Sequence, residues 1–315
     1  MPIIDLHCDT MTELKRQNKG LARNDANVDI EKMLSADVMC QFFAIFVKLT
    51  EYADCDEAWE YMENIYKFYV AEMEANKDKI SQAISASDIV ANRATGKISG
   101  LLTIEEGGIL DGKHERLEEL YNKGVRLITL TWNYENTLGY PNSDDKNIMN
   151  SGLKPFGKDI VKEMCHRGMI VDVSHLSDGG FWDVVELCDK PFIASHTNAR
   201  AITNFRRNIT DEMIKALADK GGVMGINFYS LFLGLDGSGS VAQMIEHIKH
   251  IRNIGGIDVL AIGSDFDGFS GNCEIHDSSE LVKLVSALKA EKFTDEEIDK
   301  ITYKNAMRVI DEVLK

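Results

Sequence analysis

Eight short apolar runs alternate with amphipathic stretches along the whole chain, and that alternation limits the folds open to it. The runs are residues 2–9, 38–47, 98–105, 125–132, 169–175, 191–197, 222–228 and 259–266. Helical periodicity separates most of them, at 56–80 and 86–95, 113–123, 155–167, 179–188, 211–220, 241–254 and 278–290. A last helix opens at Thr294, where Thr-x-x-Glu reaching Glu297 spells a capping box. Near-continuous apolar strands with helices between them predict a parallel sheet covered by helices. Eight such units predict one (β/α)8 TIM-type barrel with helical insertions and a C-terminal helix, a single domain over residues 1–315. An open doubly wound sheet is the competing fold, but no GxGxxG or Walker pattern supports it.

Charge narrows the partners. Lysine and arginine number 35 against 51 acidic residues, so the net charge is −16. That balance argues against nucleic acid or an anionic membrane as the main partner. No apolar run approaches the roughly 18 residues of a membrane span. The chain enters its first apolar run without a basic segment, which predicts a cytoplasmic protein. Six scattered cysteines with no CxxC pair predict buried free thiols rather than a zinc ribbon or a disulfide framework.

Ionisable residues gather where the runs end. The first run, "IIDLHCDT", carries Asp5, His7 and Asp9 at alternate positions, so strand geometry places them on one face opposite Ile4, Leu6 and Cys8. A buried row of this kind needs a compensating charge. Glu105 and Glu106 end the third run, His175 the fifth, His196 the sixth and Asp265 the eighth. In a barrel these ends converge on one mouth. Mixed histidine and carboxylate donors suit Zn²⁺ or a similar divalent ion. Five ligands, His7, Asp9, Glu106, His175 and His196, exceed one tetrahedral ion and predict a pair sharing one carboxylate. Two ions about 3.5–4 Å apart can activate a water and polarise a carbonyl. Asp5 is expected one layer below, Asp172 facing the helices, Asp267 stabilising a turn, and Cys8 as inert packing. His114, His166, His247 and His250 read as surface or satisfied side chains.

The stretches "DLHCDT", "EEGG", "LKPFGKDIVKEM", "GMIVDVSHLS", "PFIASHTNAR", "FRRNITDE", "GVMGINFY" and "IGSDFDG" together resemble the membrane (renal) dipeptidase family of amidohydrolase-type barrels, over nearly the whole chain. The resemblance implies a binuclear zinc hydrolase that cleaves dipeptides, including those with a D-residue at the C-terminal side. It implies that His7 and Asp9 hold the first ion, His175 and His196 the second, and that Glu106 bridges them, with Glu105 its off-register neighbour. It also implies that Asp265 handles the proton and that Arg207 receives the substrate's terminal carboxylate, while Arg206 is a solvated charge. The family pattern has a histidine where this chain has Trp132, which shifts oxyanion stabilisation toward the metals, Asn133 or Asn136. A small peptide substrate and a homodimer are the expected partners. The rival readings are a deacylase of N-acyl-D-amino acids, a lactonase, or a metal-binding protein without catalysis.

Overall fold

The computed structural model describes residues 1–314. Nine parallel strands form one sheet: β1 (Ile3–Cys8), β2 (Val38–Phe46), β3 (Ile80–Gln82), β4 (Ile98–Glu105), β5 (Val125–Thr129), β6 (Ile170–Asp172), β7 (Ile193–Ala194), β8 (Val223–Ile226) and β9 (Leu260–Ile262). β1 pairs with β2 and β9, and β2 pairs with β4 from Cys40 opposite Ser99 to Phe46 opposite Glu105, which closes eight of the strands into the expected barrel. β3 is an addition that sequence periodicity did not mark. It lies beside the first half of β4, Ile80 opposite Ile98, and β5 takes over that edge from Leu102 onward. Three residues are too few for a period-2 signal, and residues 76–79 separate them from a helix that ends at Ala75, not near residue 80 as expected.

Two helices, Thr10–Gln17 and Ile30–Ser35, fill the long connection between β1 and β2, where the sequence had suggested none. Elsewhere the expected helices are present, with their stops. Gly168 follows the helix Pro155–Arg167 at φ 75°, a left-handed conformation that glycine adopts without Cβ strain. Thr294 and Glu297 make the reciprocal capping box that opens Asp295–Asp299.

The interior of the barrel is apolar at the strands' N-terminal halves. Leu6, Phe42, Leu101, Leu127, Ile170, Ile193, Val223 and Ala261, one from each barrel strand, share a buried cluster with Val309, Ile310 and Val313. Those last three belong to the helix Asn305–Val313, whose Asn305 Nδ2 donates to the carbonyls of Ile257, ahead of β9, and Leu260, its first residue. This helix therefore closes the bottom of the barrel. A larger cluster fills the space between the strands' outer faces and the surrounding helices.

β1 departs from strict alternation. Ile4 and Leu6 join the inner cluster while Cys8 joins the outer one, and the pairing register shifts between Asp5 and Cys8. The single face predicted for Asp5, His7 and Asp9 is interrupted at this irregularity.

Candidate metal centre

Most of the functional side chains follow the strands rather than lie within them. His175 and Asp265 sit beyond β6 and β9 with φ of 67° and 63°, conformations uncommon for residues with a Cβ. These turns aim both side chains into the barrel mouth.

At the centre lies Glu105, the last residue of β4. Its Oε1 is 3.0 Å from His175 Nε2 and 3.6 Å from His196 Nε2, and its Oε2 is 3.2 Å from His7 Nε2. His7 Nε2 is also 3.4 Å from Asp9 Oδ2 and 3.8 Å from Asp265 Oδ1. Donor atoms of His7, Glu105 and His196, and of His7, Asp9 and Asp265, form two overlapping buried groups able to hold a cation.

The expectation for Glu106 is corrected by this geometry. The Glu106 carboxylate turns away from the imidazoles and accepts from the backbone N–H of Gly108 at 2.7 Å, that of Trp132 at 2.9 Å, and Asn136 Nδ2. Glu105 stands where Glu106 was expected. The register carried the signal: Leu101 belongs to the inner cluster, so Thr103 and Glu105 follow it inward at a period of two, and Glu106 falls after the strand. Asn136, suggested for oxyanion stabilisation, is committed to Glu106 and to the carbonyl of Leu130 at 2.9 Å.

Two further polar residues fix the histidines: Asn133, read in the sequence only as an oxyanion candidate, and Ser195, missed there. Asn133 Oδ1 lies 2.9 Å from His175 Nδ1, so that nitrogen donates. Ser195 Oγ donates to Asp172 Oδ2 at 2.5 Å and lies 2.7 Å from His196 Nδ1, which therefore also donates. Asp172 thus belongs to the polar network beneath the mouth, where it also accepts from Thr129 Oγ1 and the Ser174 N–H, and it does not face the helices as expected. β6 ends at Asp172, so parity cannot be carried forward from it to His175.

With both Nδ1 atoms protonated, the Nε2 atoms of His175 and His196 carry lone pairs, yet they lie 3.1 Å apart. Neither ring nitrogen of fully buried His7 makes a hydrogen bond among the described residues, nor does Asp9 Oδ1 or Glu105 Oε1. Lone pairs facing one another and bare buried donors fit a cation between them. Burial pushes His175 down to about 4 and His196 well below its ordinary value, which keeps both in the neutral form that binds metal. Burial opposes charge on His7 and Glu105 alike, but their mutual attraction raises the first and lowers the second. Burial also raises Asp9 to about 6, with the Glu105 charge adding to it.

Asp265 Oδ2 accepts from Asn227 Nδ2 at 2.9 Å, which leaves Oδ1 toward His7, and burial raises its carboxyl to about 7 against the pull of His7. Arg207 is 5% exposed, and its Nη1 donates to Thr197 Oγ1 at 3.0 Å and its Nη2 to the His196 carbonyl at 3.3 Å. Its Nε has no partner, and among the described residues no carboxylate stands within ion-pair distance of it. Arg206 is at the surface, paired with Asp144 at 2.7 Å. Asp267 accepts from Thr10 Oγ1 at 2.6 Å and from the Asn27 N–H at 2.8 Å, a turn-bracing position. Asp5 accepts from the N–H and Oγ of Ser264 at 2.8 and 2.6 Å and does not reach the imidazoles. His114, His247 and His250 are satisfied by Glu163, by the Ala199 N–H and Leu233 carbonyl, and by Asp211.

A cavity of about 530 Å³ opens over Asp9, Glu105, His175 and Asp265. That is room for a small peptide and falls within the range of small-molecule sites.

Known proteins resemble the chain over its full length. The family model described as membrane dipeptidase (peptidase family M19) matches residues 1–315. An uncharacterized dipeptidase of Schizosaccharomyces pombe is 30% identical over 329 residues, covering 98% of this chain and 79% of its own length. Among solved structures, a dipeptidase described as an M19 metallopeptidase superposes with a TM-score of 0.92 at 24% identity, over 100% of this chain and 99% of the other. A metallopeptidase from Rhodobacter sphaeroides, bound to a phosphinate mimic of the dipeptide L-Ala-D-Ala, superposes at 0.90 with 23% identity over 99% of each chain.

Proposed function

Because the chain belongs to the membrane dipeptidase family, peptidase family M19, and is a metal-dependent dipeptidase, we propose that it holds two divalent ions, zinc by the donor chemistry, astride Glu105. His7 and Asp9 complete the first site, and His175 and His196 the second. The observation that carries this reading is the Glu105 carboxylate 3.0–3.6 Å from three imidazole nitrogens, two of them facing each other as bare lone pairs. Bound ions of this kind supply Lewis-acid polarisation of the scissile carbonyl and a more acidic water.

The rest of the chemistry falls to the chain. Asp265 Oδ1, at the edge of the cluster, takes the proton released on attack and returns it to the leaving amine, while Asn227 holds the other oxygen. Asn133 and Ser195 keep His175 and His196 in the ligating tautomer. Arg207 receives the terminal carboxylate of the substrate, because a buried guanidinium without an anion partner calls for one. Dipeptides of the L-Xaa-D-Xaa type are proposed among the substrates, by analogy with the Rhodobacter sphaeroides structure and its L-Ala-D-Ala mimic. The cytoplasmic placement rests on six free cysteines, which suit a reducing compartment. No helix among the described residues is long and apolar enough to cross a membrane.

The test compares free and C-terminally amidated dipeptides with the metal-loaded enzyme. Arg207→Ala should lower kcat/KM for free dipeptides by about 2–5 kcal/mol of transition-state binding, Arg207→Lys should recover part of it, and amidated dipeptides should be poor substrates of all three proteins. Equal cleavage of free and amidated dipeptides by the wild type and by Arg207→Ala would remove the carboxylate from the reading and favour a broader amide hydrolase.

A further inference from the structure

The cavity over the metal centre has two aromatic walls, and the barrel order sets them on opposite sides of it. One wall comes from the end of β2 and the segments that follow β2 and β5. Phe46 and Trp132 are in ring contact with centroids 5.0 Å apart, and Tyr52 extends the wall outward, paired with Tyr61 at 5.2 Å. The other wall comes from the segments after β8 and β9, where Tyr229 packs on Phe232 at 4.8 Å and on Phe269 at 5.4 Å. Around the closed barrel β2, β4 and β5 are neighbours, with β8 across from β4 and β9 across from β5.

Arg207 assigns the walls to the two ends of a substrate. Its guanidinium lies 5.5 Å from the Phe232 ring and bonds the His196 carbonyl, on the β7–β8 side. A substrate with its carboxylate at Arg207 has its C-terminal residue along Phe232 and Tyr229. The scissile carbonyl then lies over the metal centre, and the N-terminal side chain projects to the Phe46–Trp132 wall. Charges rim that wall but cancel in pairs: Arg16 with Glu13 at 2.6 Å and Lys48 with Glu51 at 2.8 Å. What remains for a ligand is half-buried aromatic surface. Trp132 also lies against His175, ring centroids 6.2 Å apart, so its indole sits directly beside the reacting centre.

We infer that Trp132 and Phe46 form a subsite for a large uncharged, preferably aromatic, N-terminal side chain, so that the chain selects dipeptides by their first residue. Aromatic side chains bury large area, and offset or tilted ring contacts add to it. The inference rests on the dipeptidase reading and on the position given to Arg207.

The experiment measures kcat/KM with the metal-loaded enzyme for two series, X-Ala and Ala-X, with X being Ala, Leu, Phe, Lys or Glu. The wild type should prefer Phe-Ala over Ala-Ala by on the order of tenfold or more and disfavour Lys-Ala and Glu-Ala. Trp132→Ala should collapse the Phe-Ala to Ala-Ala ratio toward one while preserving the order within the Ala-X series, and Trp132→Phe should restore most of the ratio. The Trp132 N–H that bonds Glu106 is present in each variant, so bound metal, measured in parallel, should be unchanged. Equal cleavage of Phe-Ala and Ala-Ala by the wild type, or a Trp132→Ala change confined to the Ala-X series, overturns the subsite. A protein that cleaves neither series overturns the dipeptidase reading along with it.

Discussion

A single methyl group at position 268 would enter the space between two functional carboxylates. Gly268 follows Asp267, its N–H donates to the Asp265 carbonyl at 3.1 Å, and a Cβ there would press into Asp9 Oδ2 and Asp265 Oδ1. Gly268→Ala should therefore displace one or both carboxylates while leaving the barrel folded. A displacement of about 1 Å at a catalytic group can cost on the order of 10²-fold in rate. Steady-state kinetics beside a far-ultraviolet dichroism spectrum checks this, and undiminished kcat/KM would show that the loop yields without moving Asp265. At this scale the sequence showed the residue types at the mouth but not every orientation. His7, Asp9, His175, His196 and Asp265 could be named because each ends an apolar run. The choice between Glu105 and Glu106 turned on where β4 stops, and the adjacent Gly107-Gly108 pointed to the wrong neighbour. Asp172 was misplaced for a related reason, because alternation does not survive the turn that carries His175.

The segment from Leu130 to Gly139 shows how an element without regular structure is held by side chains. Asn136 Nδ2 donates to Glu106 and to the Leu130 carbonyl at 2.9 Å, while its Oδ1 accepts from Leu138 N–H at 2.7 Å and Gly139 N–H at 3.0 Å. This one buried amide ties the loop to itself and to the end of β4, and so sets Trp132 and Asn133 beside His175. Asn136→Ala leaves several buried polar groups unpaired, each worth about 1–3 kcal/mol. We expect a loss of about 2–4 kcal/mol of stability in denaturant unfolding. Asn136→Asp should fare no better, since it sets a second carboxylate against Glu106. An unchanged unfolding midpoint for Asn136→Ala would mean that the loop holds its shape without the bracket. The barrel strands were legible as apolar runs because both faces of each are buried. β3 and the helices between β1 and β2 were not, being short pieces whose pattern is set by the neighbours they cover.

Only the closed barrel brings the donors together, since His7 and Asp9, Glu105, His175 and His196 follow or end four different strands, β1, β4, β6 and β7. The apolar interior below them, closed by Val309, Ile310 and Val313, gives the cluster a rigid floor. The fold was therefore readable from periodicity, and the site from the convergence that the fold imposes. The central claim is that Glu105, and not Glu106, joins a pair of metal ions at that convergence. Metal content per chain, measured on purified wild type, Glu105→Gln and Glu106→Gln after identical loading with Zn²⁺ and removal of free ion, tests it most directly. The account predicts about two ions in the wild type, about one or fewer in Glu105→Gln, and about two in a less stable Glu106→Gln. Two ions retained in Glu105→Gln together with their loss in Glu106→Gln would contradict it.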